Sequence, residues 1–280
     1  MLSFWGKVRL VIHIKTLLKK IYLSFFYRTA QVIEKLDARS DIRYLSEQEA
    51  LYTELGLNRS EGLRHLNKIL QITFEKNFSE KDGMWSEHLI LFSAISLKFE
   101  GIKEILEIGT YKGETTLILS ELFPNSKILT IDLPSEVSNQ MKIYDYDSSD
   151  SVKLTRDSNL RRAKSLKQLE EDSCSLIFND SKYDLIWLDG AHGYPTCTID
   201  ISNSVRLLSN NGILICDDVY TKIIFSDSIN DSLATYETLS ALRNAGLITF
   251  DLLRKRLSLR YNLWPKQTKF IAYATKSKKI

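Results

Sequence analysis

Two groups of acidic, glycine and histidine residues in this sequence have types and spacings that suit chemistry. The first is the segment 107–113, EIGTYKG, which is followed by Asp132. Glycine lets the backbone approach a ligand closely because it has no Cβ atom. A carboxylate at the position of Asp132 can accept hydrogen bonds from two ribose hydroxyls. This first group predicts a nucleoside-binding site.

The second group consists of Asp189, His192 and the pair Asp217-Asp218. Asp189 follows the apolar run 183–188 and Asp217 follows the run 213–216, so each predicted strand ends at an acidic residue. The carboxyl ends of parallel strands meet at the edge where open α/β sheets bind ligands. Converging carboxylates repel one another unless they are paired or bridged by a cation, and such oxygen ligands suit Mg²⁺ or Ca²⁺ better than zinc.

A strand–helix–strand unit must position the first group. The run 102–108 has the length and the Ile and Leu content of a buried parallel strand. A helix is predicted through residue 122, and the next strand over 127–133. The dinucleotide fingerprint G-x-G-x-x-G is absent because Tyr111 stands where its second glycine belongs, and no Walker A sequence occurs. The spacing therefore favours neither a dinucleotide nor a P-loop site.

These patterns together resemble the class I S-adenosylmethionine-dependent methyltransferases. The sequence E-x-G-x-x-x-G is similar to the first motif of that family, and Asp132 matches its ribose-binding acid. The later pattern, strand-DGxHxY, helix, turn, strand-DD, resembles the methyltransferase 24 branch, which includes O-methyltransferases acting on sugars of natural products. The resemblance covers residues 83–276.

The resemblance implies a cofactor site and a metal site. S-adenosylmethionine contacts are implied at Glu107, Gly109, Thr110, Tyr111, Gly113, Asp132 and Asp172. Asp172 is the candidate for the acid that accepts a hydrogen bond from the adenine amino group, with Asp157 as its competitor. Metal-dependent members hold Mg²⁺ at positions that match Asp189, Asp217 and Asp218. The alternative for the last two is helix capping.

His192 is the candidate general base. It occupies the position of the catalytic lysine of catechol-type relatives, whereas the acid that sugar-modifying relatives often carry two residues after the first metal Asp is replaced by Ala191. A packed or cofactor-facing histidine is the alternative for His192. The cluster 254–256, RKR, is predicted to lie in a solvated loop, with attraction of an anionic substrate or lipid as the alternative.

The predicted fold class is α/β, a Rossmann-like, doubly wound and mostly parallel seven-stranded sheet with an antiparallel last strand. A helical N-terminal extension, 1–82, precedes a methyltransferase domain, 83–280, with the boundary at Asp82-Gly83. The remaining predicted helices are two within 46–78 and one each over 84–99, 196–208 and 232–245. The remaining strands are 165–171, 247–253 and 269–275. Residues 135–159 are predicted to form a loop with a short helix at most.

Composition limits the function classes. A net charge of +3 gives no indication of nucleic-acid binding, and the Asn- or Asp-Pro-Pro motif of base methyltransferases is absent. The three cysteines have no paired spacing, which is typical of reduced thiols in a cytoplasmic protein. The four histidines form no zinc motif.

The N-terminal segment differs from the rest because every charged residue in 1–33 is basic and its apolar residues recur at helical spacing. Lysines interrupt it too early for a transmembrane span, and no signal-peptide cleavage site follows. One interpretation is peripheral contact of residues 1–36 with the inner face of the membrane. The other is a helix packed on the domain or on a second copy in a homo-oligomer.

The expected function is O-methylation of a hydroxyl on a sugar or other small molecule, with S-adenosylmethionine as methyl donor and a divalent ion, Mg²⁺, as helper. The acceptor is a small molecule or a glycan. The alternatives are a metal-independent methyltransferase of the same fold and a non-catalytic, membrane-associated module that retains the fold.

Overall fold

The computed structural model describes residues 20–22, 24–25, 28–29, 40–134, 150–223, 231–262 and 268–277. The elements with defined bounds are, in chain order, α1 (Ser40–Glu54), α2 (Arg59–Phe74), α3 (Glu87–Lys98), β1 (Glu104–Ile108), α4 (Glu114–Leu122), β2 (Lys127–Asp132), α5 (Asp150–Arg162), β3 (Leu166–Glu170), a 3₁₀ helix (Ser173–Phe178), β4 (Tyr183–Leu188), α6 (Thr196–Leu207), β5 (Leu208–Tyr220), α7 (Ala234–Asn244), β6 (Ile248–Arg254), α8 (Leu259–Asn262) and β7 (Lys269–Lys276).

The strands form one seven-stranded sheet in the order β3-β2-β1-β4-β5-β7-β6. All neighbours from β3 to β5 pair in parallel, whereas β7 lies antiparallel between β5 and β6. The predicted fold class is thereby confirmed. The strand order reverses between β1 and β4, so a crevice opens at the carboxyl ends of these two strands, where ligands bind in sheets of this kind.

The central strands are buried on both faces. Ile105 and Trp187 belong to one hydrophobic cluster, whereas their neighbours Leu106 and Leu188 belong to a second cluster on the opposite side of the sheet. This alternation follows from the two-residue period of a strand, and burial of both faces explains the continuous apolar runs. The two clusters together fix the register of β1 against β4 and thus the height at which each strand ends.

Most predicted elements are confirmed within a few residues, and the clearest correction concerns α5. Residues 135–149 of the predicted loop lie outside the described residues, but 150–162 form a helix of 13 residues. Its buried positions Val152, Arg156 and Leu160 recur at helical spacing. This helix is longer than the short helix that the prediction allowed. Its apolar pattern is incomplete in the sequence because one of the buried positions carries arginine, whose guanidinium binds Glu170 at 2.9 Å.

The turn that the methyltransferase 24 pattern places before the second acidic strand falls at residues 210–212, and these residues lie within β5, which is longer than the predicted strand. β4 pairs with β5 first through Tyr183 and Leu208, then through Leu185 and Ile213. Two β4 residues are therefore matched by five β5 residues, so the Asn-Asn-Gly segment forms an irregularity of the strand rather than its start.

Helices α1 and α2 share a core with the sheet. Tyr52 and Leu66 lie in the same hydrophobic cluster as Ile105. The Arg59 guanidinium donates to both carboxylate oxygens of Glu87 at 2.7 and 2.9 Å, and both side chains are buried. The domain boundary near Gly83 stays a prediction, but the helices before it and α3 after it are packed as one body.

Most of the N-terminal basic segment lies outside the described residues. Within it, residues 20–22, 24–25 and 28–29 are helical, and the side chains of Ile21 and Phe25 are 57% and 68% exposed. Both apolar side chains are thus more exposed than buried in the described part of the chain. Among the residues that the structure describes, no helix combines the length and apolar character needed to cross a membrane.

The buried ion pair between α2 and α3 generates a stability prediction. Arg59→Leu should lower the free energy of unfolding by about 3–5 kcal/mol, because it leaves the Glu87 carboxylate buried without its partner. Urea unfolding measures the change. Arg64→Leu on the same helix is the matched control, since Arg64 is exposed and its distance to Glu61 is 3.8 Å. Equal losses in both variants would contradict the assignment.

Candidate active site

The glycine loop after β1 is pressed against the end of β4. Gly109 has φ of +101°, and a Cβ atom built on it would lie 2.3 Å from the carbonyl oxygen of Asp189. At the other end of the loop, Gly113 has φ of +67°, and its Cβ would lie 2.9 Å from the Leu160 side chain. Both positions therefore require glycine. At Gly109 the predicted cofactor loop lies directly against Asp189, the first predicted metal ligand.

Asp132 closes the glycine loop from the end of β2. Its Oδ2 accepts hydrogen bonds from the backbone N–H groups of Thr110 at 3.0 Å and Tyr111 at 2.8 Å, and its Oδ1 accepts one from Leu133 at 2.8 Å. Burial raises the pKa of Asp132, and the backbone donors partly offset that rise. The structure thus brings together Asp132, Gly109, Thr110, Tyr111 and Gly113, five of the seven predicted cofactor residues.

Glu107 lies beneath this loop rather than on its surface. Its carboxylate is fully buried, and Oε2 accepts hydrogen bonds from the hydroxyls of Thr116 and, at 2.7 Å, Thr130. Burial raises the pKa of Glu107 to about 7, although the threonine hydroxyls act in the opposite direction. Its position indicates that Glu107 supports the loop from the interior of the sheet.

Asp172, the predicted adenine contact, is not among the residues that the structure brings together around the glycine loop. Asp172 is exposed and caps the 3₁₀ helix by accepting a hydrogen bond from the Cys174 N–H at 2.9 Å. Its competitor Asp157 lies beside Arg156, at 3.7 Å. Sequence reasoning missed Asp200 on α6, which is fully buried beneath Gly190 and whose pKa burial raises to about 7. A lone aspartate on the apolar side of a helix was the available signal.

The Asp217-Asp218 pair lies on a bulge of β5. Parallel pairing with β4 ends at Leu188 and Cys216, and the register of β5 against β7 shifts between Cys216 and Val219. Asp218 has φ of +50°, an uncommon conformation for a residue other than glycine. Such bulges redirect side chains next to ligand sites, and this one brings Asp218 towards the residues that follow β4.

His192 completes the acidic edge. Its Nε2 lies 3.6 Å from Asp189 Oδ1 and 4.0 Å from Asp218 Oδ2. Burial lowers the pKa of His192, and the neighbouring aspartates act against this, so the ring favours the neutral form. Nδ1 is buried and has no hydrogen-bond partner within the described chain. The three predicted metal ligands and the predicted base are therefore close together.

Two lysines neutralise this edge, and sequence reasoning missed both. The Lys255 ammonium binds Asp217 Oδ2 and, at 2.5 Å, Asp218 Oδ1, while the Lys269 ammonium binds Asp218 Oδ2 at 2.6 Å. Lys255 is only 4% exposed, so the prediction of a solvated loop at 254–256 was wrong at this residue. A lysine at the end of a strand on the same sheet edge was the signal available.

Burial and neighbouring charges shift the pKa values of Lys255, Asp218 and Asp189. Burial alone would lower the pKa of Lys255, but the carboxylates of Asp217, Asp218 and Asp189 raise it above its usual range. Burial would raise the pKa of Asp218, yet Lys255 brings it well below its usual range. Burial, followed by the charge of Asp217, raises the pKa of Asp189. Lys255 is thus charged at neutral pH.

The described side chains do not fit the predicted metal site. Across those residues, no cluster of three or more histidine, cysteine, aspartate or glutamate side chains is arranged to hold a metal ion. The reason is visible at Asp217 and Asp218, whose facing oxygens are taken by the Lys255 ammonium. The aspartates are close together, as the resemblance implied, but the cation between Asp217 and Asp218 is the Lys255 ammonium.

The chain was compared with known protein families, curated proteins and solved structures. A sequence model described as a methyltransferase domain, methyltransferase 24, matches residues 106–219. The structure is similar to that of a candidate O-methyltransferase from Klebsiella pneumoniae, with a TM-score of 0.51, 14% identity, and coverage of 83% of this chain and 97% of that one. For cofactor-bound Rv0187 from MTB the TM-score is 0.51 at 15% identity, covering 78% and 90%. No curated protein matches the chain in sequence.

The matched segment begins in β1 and ends in β5, so it contains the glycine loop, Asp132, Asp189, His192 and the aspartate pair. The likeness to the solved structures shows that the fold is that of class I methyltransferases. The family match covers residues 106–219 and agrees with the resemblance noted in the sequence, and the solved structures agree with it in fold.

The buried Glu107 generates a prediction on stability and pH. Its pKa is about 7 in the folded chain against a model-peptide value near 4.5, so the unfolded chain releases this proton first as the pH rises. Stability should therefore fall between pH 4.5 and 7. Glu107→Gln should remove that fall and exceed wild type by about 3 kcal/mol at pH 8.

Urea unfolding at intervals from pH 4 to pH 8 measures this difference. The charge of Asp132 also raises the pKa of Glu107. Asp132 is present in both wild type and Glu107→Gln, so its own contribution to the pH dependence should remain in both. A difference between the two proteins that stays constant with pH would contradict the assignment.

Proposed function

We propose that this protein transfers the methyl group of S-adenosylmethionine to a hydroxyl oxygen of a small molecule or glycan. One observation carries the proposal. The glycine loop closed by Asp132 contacts the backbone of Asp189, whose side chain lies 3.6 Å from the half-buried His192 ring. A nucleoside-type loop and a proton acceptor therefore meet in one crevice, at the carboxyl ends of β1 and β4.

The cofactor supplies an activated methyl group on a sulfonium sulfur. The chain supplies the backbone of the glycine loop and the Asp132 carboxylate, which can accept hydrogen bonds from ribose hydroxyls. Asp132 already holds the loop through the N–H groups of Thr110 and Tyr111. The loop is thus set in shape before the ligand arrives, which lowers the ordering that binding requires.

The acceptor must be aligned and lose a proton. Its oxygen attacks the methyl carbon, a C–O bond forms, the C–S bond breaks, and the electron pair of that bond passes to sulfur. The hydroxyl proton passes to His192. Because Nε2 faces the carboxyl groups of Asp189 and Asp218, we assign the proton of the neutral ring to Nε2. Nδ1 then carries the free lone pair of the ring; it is buried and has no partner in the described chain, so the ring must turn or the site must open before the acceptor hydroxyl can reach it.

A divalent ion, which the family resemblance implied, does not enter this proposal. The Lys255 ammonium lies between Asp217 and Asp218, so these carboxylates are already paired. Metal-independent methyl transfer, the alternative kept from the sequence, is the form that this geometry favours. The hydroxyl acceptor of sugar type rests on the family resemblance alone.

Cofactor binding should depend on Asp132. Asp132→Ala removes a charged acceptor, so S-adenosylhomocysteine should bind more weakly by about 3 kcal/mol, which is about a hundredfold in Kd. Calorimetry measures it, and Glu104→Ala at the opposite end of β1 is the matched control, since that carboxylate is partly exposed and pairs with Lys127. Equal affinity in wild type and Asp132→Ala would remove Asp132 from the site.

Turnover should depend on His192. His192→Ala should lower kcat roughly 10²–10⁴-fold if the ring accepts the proton, while affinity for S-adenosylhomocysteine stays within a factor of two or so. Formation of S-adenosylhomocysteine with a panel of sugar and phenolic hydroxyl acceptors is the measurement. His65→Ala serves as control, because His65 lies on α2 and contacts Ser93. An unchanged kcat would assign the proton to another acceptor.

A further inference from the structure

We propose that the Lys255 ammonium is the resident cation of this active site and takes the place of a divalent metal ion between Asp217 and Asp218. Lys255 is then a positioning residue: it holds the two carboxylates in fixed orientations, and Asp218 in turn faces His192. Its role in turnover rests on the proposed function. Its exclusion of metal ions does not, since that follows from the ion pairs alone.

The contacts of Lys255 match those of a bridging ion. Its Nζ binds one oxygen of each aspartate, Oδ2 of Asp217 and, at 2.5 Å, Oδ1 of Asp218. The second oxygen of Asp218 binds Lys269 at 2.6 Å. Two carboxylates, those of Asp217 and Asp218, thus face two ammonium groups. A metal ion would need to displace at least one ammonium before it could reach the oxygens of both aspartates.

The backbone around Lys255 makes such a displacement unfavourable. Its N–H donates to the carbonyl of Lys269 at 3.0 Å, and its carbonyl accepts from the N–H of Glu87 at 3.0 Å. The side chain is 6% exposed, so an outward swing would leave a cavity among buried groups. Both ends of the residue are therefore anchored, one to β7 and the other to the start of α3.

A divalent metal ion and the Lys255 ammonium differ in how they can bind a substrate. A divalent ion carries two charges and coordinates six or more oxygens, so it can bind acceptor oxygens as well as protein ligands. An ammonium carries one charge and donates three hydrogen bonds, of which two are directed at the aspartates here. Lys255 therefore orients the carboxylates without providing open coordination positions.

The test compares ion binding and turnover in the full-length chain. Metal-stripped wild type should show no saturable Mn²⁺ binding by calorimetry or paramagnetic resonance. Lys255→Met keeps the length of the side chain but removes its charge, so Asp217 and Asp218 should gain Mn²⁺ affinity by about tenfold or more. Lys276→Met is the matched control, because its ammonium binds the Leu208 carbonyl elsewhere on the sheet.

Turnover gives the second readout. Wild-type methyl transfer should be unchanged in EDTA, whereas Lys255→Met should be slow in EDTA and partly restored by Mg²⁺ or Mn²⁺. Saturable Mn²⁺ binding to wild type, or wild-type activity that EDTA abolishes and Mg²⁺ restores, would overturn the inference. So would a Lys255→Met variant that folds and binds no more Mn²⁺ than wild type.

The outcomes separate this inference from the proposed function. If wild type fails to bind S-adenosylhomocysteine or to methylate any acceptor, the proposed function is wrong, and Mn²⁺ binding still decides the role of Lys255. If Lys255→Met does not fold, Lys255→Gln replaces it, and the wild-type measurements stand by themselves.

Discussion

The close approach of Gly109 to the carbonyl of Asp189 is the constraint on which the site depends. Where the strand order reverses, β1 and β4 are neighbours and end at the same height, so the loops that follow them must share one narrow space. A side chain at position 109 would overlap the Asp189 carbonyl. Because glycine stands there, the glycine loop and the His192 group lie within one crevice, and the other candidate site residues are placed relative to that contact.

Buried charge is a second theme of the molecule. Arg59 pairs with Glu87 between helices, Glu107 lies beneath the glycine loop, and Lys255 lies between two aspartates. Each charge loses solvation on folding, so such pairs contribute little net stability. Their geometry is specific, however, because an unpaired member would be strongly unfavourable. The arrangement therefore selects one packing of α3, β5 and β6 against the alternatives.

The sequence predicted those parts of the structure that depend on local pattern. Strands such as 183–188 were recognisable because both faces are buried, and the glycine loop because its spacing reflects backbone conformation. The convergence of Asp189 with Asp217 was also predictable, since parallel strands share an edge. Residues brought in by non-local packing were not. The buried face of helix α5 includes Arg156, a residue type that is usually exposed. Lys255 lies in the segment Arg-Lys-Arg, whose composition is typical of an exposed basic turn.

The same distinction explains the metal prediction. Counting carboxylates at strand ends identifies where negative charge gathers, but it does not show what balances that charge. The compensating lysine comes from β6, which is far from β4 in sequence and is separated from β5 in the sheet by β7. A prediction that considers all strand ends on one edge, including those of antiparallel strands, would have included Lys255 and Lys269.

The origin of that lysine has a consequence for assembly. The three aspartates belong to the parallel strands, whereas both ammonium groups come from the C-terminal hairpin of β6 and β7. A chain emerging from the ribosome therefore presents its acidic edge before the counter-charges exist. Docking of this hairpin both covers the edge of β5 and brings the two ammonium groups to Asp217 and Asp218, so the acidic edge stays uncompensated until the hairpin has packed.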